Sequence, residues 1–279
     1  MLLVSFLAVA GCGRRQRTAG PDALLVSIQP LKYLVDNIVG DDFEVTVLVP
    51  PGSSPETYEP TPAQIKSAET AKLLFFTGLI DFETSLLLRF DDKERFVNLS
   101  AGIDVIVGSC SHGHGHEGHS HGVDPHTWMS PRELLRMAGT AYSRIHELYP
   151  DSVSYTANYA KIKEELEWLD SEIASIVDMS GRRSFVIFHP GLTYYARDYG
   201  LRQIALEQDG KEPSVRQLQQ IVNEARSENI TRVFYQSEFP RNVVEVAAAE
   251  IGAVPVEIDI LGYDIIGNIL NLTNLIVAE

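Results

Sequence analysis

The chain has 279 residues, 44% of them hydrophobic and 22% charged, which is enough apolar matter for a real core in one or two domains. Its formal net charge of -15 argues against nucleic-acid binding, which needs cationic surface to displace counterions from the phosphate backbone. The same charge opposes electrostatic adhesion to anionic lipid, and no segment reaches the roughly 20 apolar residues of a membrane-spanning helix.

Residues Leu2 to Ala10 (LLVSFLAVA) form an apolar run with the length of a signal-peptide core. The run closes on Val9-Ala10-Gly11-Cys12, which resembles the lipobox of bacterial lipoproteins, where the cysteine carries the lipid. The basic residues that usually precede such a run are missing. Gly13 to Gly20 reads as a tether. With Cys12 lipidated, Cys110 is left without an intrachain disulfide partner.

From Pro21 onward strands and helices alternate. Strands are expected at Ala23–Ile28, Phe43–Val49, Lys72–Thr77 and Phe96–Leu99. Helices are expected at Pro30–Val39, with Leu31, Leu34, Val35 and Ile38 on one face, at Thr61–Ala71, with Thr61 as cap, and at Phe82–Phe90. A helix over Pro131–Leu148 precedes the longest periodic run, Val153–Met179, which has no Gly or Pro and spans roughly 40 Å at 1.5 Å per residue. Alternation then resumes: strands at Ser184–Phe188, Arg202–Ala205, Arg232–Tyr235 and Val254–Ile258, helices at Thr193–Tyr199, Ser214–Glu228, Arg241–Gly252 and Ile265–Ala278. This pattern predicts an α/β protein of two lobes with mainly parallel sheets, joined by one long rigid helix. Its ligand site belongs in the cleft, at the carboxyl ends of the strands.

Six of the eight histidines lie between Ser111 and His126 (SHGHGHEGHSHGVDPH). His112, His114, His116, His119 and His121 alternate with Gly, Ser and Glu, too polar to pack into a core and well suited to turn imidazoles toward an ion. A tag or solvated linker is the bland alternative, disfavoured by the mid-chain position and the glycine spacing. Of the other histidines, His126 sits in a rigid Asp124-Pro125-His126 turn and His189 directly follows a strand and precedes Pro190-Gly191, whereas His146 lies mid-helix and is assigned to solvent. Glu56, in the loop after the second strand, and Asp259, after the strand VPVEI, occupy similar strand-end positions. Two nitrogens and two or more oxygens from Glu56, His126, His189 and Asp259 would suit zinc, or manganese or iron with more carboxylate oxygens.

In their order along the chain, PPGSSPETYEPTPAQ (50–64), AKLLFFTG (71–78), the histidine tract running into VDPHTWMSP (123–131), FHPGLTYYARDYGL (188–201) and VEIDIL (256–261) resemble the zinc/manganese solute-binding lipoproteins of bacterial ABC transporters. The resemblance covers nearly everything after Cys12. It implies two Rossmann-like lobes, one metal ion buried between them, and delivery of that ion to a membrane permease by a monomer anchored through lipid on the periplasmic or extracellular face of the cell envelope. It implies the ligands His126, His189 and Asp259. At the first-lobe position, where a histidine is usual, this chain has Glu56; at a position near the cleft that is often acidic it has Gln236. The tract resembles the His-rich loop of zinc importers, which favours zinc over manganese or iron and gives His112 to His121 the role of an accessory antenna whose capture weakens below pH of about 6.5. The implied division is signal and tether 1–20, first lobe 21–150 with the His-rich loop 111–122, linking helix 151–180, and second lobe 181–279. Two other functions compete: a zinc hydrolase with Glu56 as base, and a zinc-sequestering adhesin working through the tract. The sequence has no H-E-x-x-H, G-x-S-x-G or P-loop, so no enzyme is expected.

Overall fold

The computed structural model describes residues 23–107, 122–207, 211, 213–239 and 241–278. Cys12, Cys110 and the tract histidines His112, His114, His116, His119 and His121 lie outside the described residues.

The short apolar runs near the start build one four-stranded sheet from β1 (Leu24–Val26), β2 (Val45–Val47), β3 (Leu73–Phe76) and β4 (Phe96–Asn98), in the order β2-β1-β3-β4 and parallel throughout. The runs beyond the long helix build a second from β5 (Ser184–Ile187), β6 (Arg202–Ala205), β7 (Arg232–Gln236) and β8 (Val254–Ile258), in the order β6-β5-β7-β8, again parallel. Each sheet adds its second strand on one side of the first and its third on the other. That reversal opens a crevice at the carboxyl ends of the strands.

Helices α1 (Gln29–Val39), α2 (Pro62–Thr70) and α3 (Asp81–Leu87) link the first sheet, and α6 (Thr193–Asp198), α7 (Val215–Ser227) and α8 (Arg241–Ile251) link the second. Between them run α4 (Pro131–Leu148) and α5 (Val153–Ser180); α9 (Ile265–Val277) returns along α5. At 28 residues α5 is about 42 Å long. Its Ser152 cap accepts from Tyr155 N, and Gly181 ends it at φ 67°, a left-handed conformation that glycine adopts without steric cost. Ile162, Leu166, Leu169 and Ile173 make the buried seam at three- and four-residue spacing.

Packing divides the second sheet between two cores. Phe185, Ile187 and Phe234 face a continuous apolar body that also holds the first sheet, α4, α5 and α9. Val186, Val233 and Tyr235, on the opposite face by strand alternation, pack with Ile221, Val222 and Ala225 of α7 and Val244, Ala247 and Ala248 of α8 in a separate cluster. The two lobes therefore share one core through the helical spine. Rotating one against the other would open apolar surface.

The expected strands and helices are present, most with ends within two residues of expectation. Three 3-10 turns were not anticipated: Gly40–Asp42, Pro55–Thr57 and Thr127–Met129. The second carries Glu56 and the third begins just after His126.

Candidate metal centre

The first station of the site is built by a return of the chain after β4. Val107 and Val123 pair as an antiparallel bridge, and Asp124 N donates to Ile106 O at 2.9 Å, so the chain comes back beside the point where it left. Asp124 is fully buried and accepts from the backbone N–H of His126 at 2.9 Å. The same Oδ1 lies 2.9 Å from His126 Nδ1. A proton on Nδ1 engaged by a carboxylate leaves the Nε2 lone pair for a metal. The segment is tied to the other lobe as well: Tyr194 Oη donates to Asp124 O at 2.8 Å, and Trp128 Nε1 donates to Ile260 O at 2.8 Å.

The second station is His189, two residues past β5. Its turn closes with Gly191 N donating to His189 O at 2.8 Å. Gly191 is required for close approach, since a Cβ there would meet Ile260 Cδ1 at 2.9 Å and Gln236 Nε2 at 3.0 Å. Its Nδ1 lies 3.2 Å from Glu207 Oε2. The pairing Ile187↔Ala205 in the parallel register explains this contact, because His189 and Glu207 each follow their strand by two residues.

The third is Glu56, on the 3-10 turn Pro55–Thr57 between β2 and α2. Tyr58 Oη and Gln64 Nε2 both donate to Leu48 O, at 2.8 and 2.6 Å, and Thr61 with Gln64 forms the capping box that starts α2. The loop is thereby held at both ends. Glu56 Oε1 sits 3.1 Å from His189 Nε2 and 3.8 Å from His126 Nε2, with its side chain only 10% exposed. One ligand atom from each of the three residues lies within 4.8 Å of the others. Donors held tetrahedrally at roughly 2.0–2.1 Å from zinc are about 3.3 Å apart, so two imidazole nitrogens and one carboxylate oxygen fit a cation here with little rearrangement.

Ser54, Pro55, Ile80, Pro125, Trp128 and Ile260 help to wall a cavity of about 20 Å³ around this trio, room for a single ion or water. Phe239 stacks on the His189 ring at 4.9 Å and 19°. Burial disfavours charge on His189, but its hydrogen bonds to Glu207 and Glu56 outweigh that and raise its pKa to about 9.

Asp259, the fourth residue expected, stands apart from this group. It is exposed, its Oδ1 accepts from Leu261 N at 2.9 Å, and it lines an outer cavity with Pro50, Gly52, Ser237, Glu238 and Tyr263. An aspartate can satisfy itself on the backbone two residues on, and here that local turn engages one of its two carboxylate oxygens. Sequence reasoning gave no role to Asp124 and Glu207, which orient the two rings; Gln236, singled out near the cleft, donates from its Nε2 to His189 O at 3.1 Å. Asp124 was legible from its spacing to His126; Glu207 needed the strand register. His146 stacks on Tyr142 in α4, away from the site.

The profile of the ZnuA family, described as the periplasmic component A of a zinc-uptake complex, matches residues 24–268. The chain belongs to the ZnuA family. Among solved ZnuA structures, a zinc-bound deletion mutant superposes with a TM-score of 0.82 at 35% identity, covering 92% of this chain and 96% of the other. The high-affinity zinc uptake system protein ZnuA of Bacillus subtilis is 27% identical over 91% of this chain and 84% of its own length. The zinc-binding lipoprotein AdcA of Streptococcus pneumoniae is 26% identical over 90% of this chain, which spans about half, 53%, of that relative's length. Glu56, His126 and His189 all lie within the matched residues. Among the described residues no helix is long and apolar enough to cross a membrane.

Proposed function

We propose that this chain captures a zinc ion between its lobes, through Glu56, His126 and His189, and delivers it to the permease of an ABC importer in the cell envelope. The observation that carries this reading is the trio itself. Two buried imidazoles have their Nδ1 atoms engaged by Asp124 and Glu207 and their Nε2 atoms turned toward one carboxylate oxygen. The zinc-bound ZnuA relative and the zinc-uptake names of the other relatives support zinc as the cargo. Two imidazoles among the donors also favour it over manganese or iron.

Carriage requires that the ion leave unchanged, and the arrangement suits that. The polar groups that line the cavity are donors or braces, the rest of its wall is largely apolar, and its volume of about 20 Å³ suits an ion better than a substrate to be hydrolysed. Delivery also needs the chain to stay near its importer; lipid on Cys12 would hold it on the outer side of the membrane, with 13–20 as tether. The lobes 21–150 and 181–279 would act as one body on the helix 151–180.

The test is metal analysis and competitive titration of the purified full chain with zinc and manganese. We expect one tight zinc site per chain, retained when residues 112–121 are removed and lost, by at least about 100-fold in affinity, in His126→Ala and His189→Ala. Preference for manganese would overturn zinc as cargo. Loss of tight binding on deletion of 112–121 alone would move the function to the tract.

A further inference from the structure

We propose that the side-chain amide oxygen of Gln236 is the fourth donor of this cation site. The inference rests on the function just proposed and adds to it a ligand that the titratable trio does not contain. Gln236 ends β7, on the strand next to β5, and its side chain is 1% exposed. It lines the cavity that Glu56, His126 and His189 line.

The orientation of the amide follows from hydrogen-bond chemistry. Gln236 Nε2 is 3.1 Å from His189 O. A backbone carbonyl only accepts, so the nitrogen must occupy that side and the oxygen the other. Gln236 Oε1 is then buried with no hydrogen-bond partner. Buried acceptors are almost always satisfied, and one left bare in a cavity beside three ligand atoms calls for a cation or its hydration water. The amide also sits close to the rings: a Cβ placed on Gly191 would be 3.0 Å from Gln236 Nε2 and 3.5 Å from His126 Cδ2. Any side chain at 191 would crowd the Gln236 amide, so glycine leaves that side of the cavity clear.

Two other oxygens compete for the fourth position. Asp259 is turned back on its own chain and exposed. Glu238 is half-buried and lines both the inner cavity and the outer one, so solvent reaches it. Only the Gln236 oxygen is fully enclosed and still in need of a partner. A neutral oxygen donor has a functional consequence: with one carboxylate and no second, a divalent ion keeps a net positive charge in the pocket and is held less tightly than by two carboxylates.

The experiment is zinc affinity by chelator competition on the full chain, unaltered and as Gln236→Glu and Gln236→Met, with a crystal structure of the zinc-loaded unaltered protein. If Gln236 ligates, Gln236→Met weakens binding at least tenfold, while Gln236→Glu, which supplies a charged oxygen in the same place, tightens it at least tenfold. If Gln236 only braces the His189 carbonyl, both substitutions remove that brace and both weaken binding; that result overturns the proposal. Should Gln236→Glu fail to fold, the zinc-loaded crystal structure decides. Oε1 within about 2.4 Å of the ion supports ligation, and beyond about 3 Å overturns it. Failure of the unaltered chain to bind zinc would defeat the carrier function and this inference together, whereas a distant Gln236 on a tight zinc site defeats the inference alone.

Discussion

The two halves of the molecule each turn one histidine toward Glu56, and they hold the two rings differently. His126 is braced from within its own turn. Asp124, two residues before it, engages both its backbone N–H and its ring at 2.9 Å. His189 is braced from a neighbouring strand by Glu207 at 3.2 Å, faces Glu56 at 3.1 Å, and lies under Phe239 from a half-buried loop. The first ring is set by local geometry, the second by the register of a sheet and by its contact with Glu56. A carrier must bind tightly and also let go. This difference assigns the preset half to the first lobe and the adjustable half to the second.

The strongest way to break the comparison is to remove each brace. Carboxylates that orient a ligating histidine typically contribute 10- to 100-fold in metal affinity. Asp124→Asn and Glu207→Gln should both fall in that range. Asp124→Asn should cost more, because it weakens the backbone anchor of the turn as well as the tautomer of the ring. Zinc competition titrations read this directly. A larger loss from Glu207→Gln would reverse the assignment of the two halves.

Much of this was legible before any coordinates. Period-two and period-3.6 apolar runs, with a cap such as Thr61, mark elements whose type depends on local pattern, and those elements are present. His189 and Glu56 were marked by lying in loops after strands of a parallel fold, and His126 by its rigid Asp124-Pro125-His126 turn. The rest depends on contacts that no local pattern encodes. Glu207 reaches His189 only through the register Ile187↔Ala205. Gln236 reaches the cavity only because β7 lies beside β5. Asp259 has the strand-end position but is exposed with its Oδ1 on Leu261 N, a rotamer choice invisible in the sequence.

Proton competition sharpens the comparison next. His189, with its pKa raised from 6.5 to about 9, carries a proton at neutral pH that the incoming ion must displace. Zinc affinity should therefore climb about tenfold per pH unit toward pH 9 and flatten above it, with close to one proton released per zinc at pH 7. Calorimetry in buffers of different ionisation enthalpy counts that proton. The metal-free protein should respond with the opposite sign. A pKa higher in the folded state than in the unfolded one stabilises the fold fully below about pH 6.5, and that contribution, on the order of 3 kcal/mol, is lost as pH rises through about 9. Metal-free denaturation that is flat between pH 6.5 and 9 would show that the proton is not held there.

The smallest expected effect is at the cover of the second half. Phe239 stacks on His189 and packs on Phe188 at 5.3 Å. A phenyl ring offers no lone pair to a cation, so it cannot set the coordination. What it does is keep water off one face of an imidazole whose metal bond must break for release. Phe239→Ala should speed both capture and loss of zinc while changing the dissociation constant by less than tenfold, in line with the roughly 0.5–1.5 kcal/mol of an aromatic pair. Stopped-flow exchange with a fluorescent chelator separates the rates from the equilibrium. The corresponding substitution on the other side, Trp128→Ala, should do the reverse. Trp128 packs on His126 at 5.0 Å and bonds Ile260 across the lobes, so its loss should lower affinity and stability together without a matched gain in capture rate. If both substitutions gave the same kinetic signature, the preset and adjustable halves would be one and the same, and the second lobe would have no special part in release.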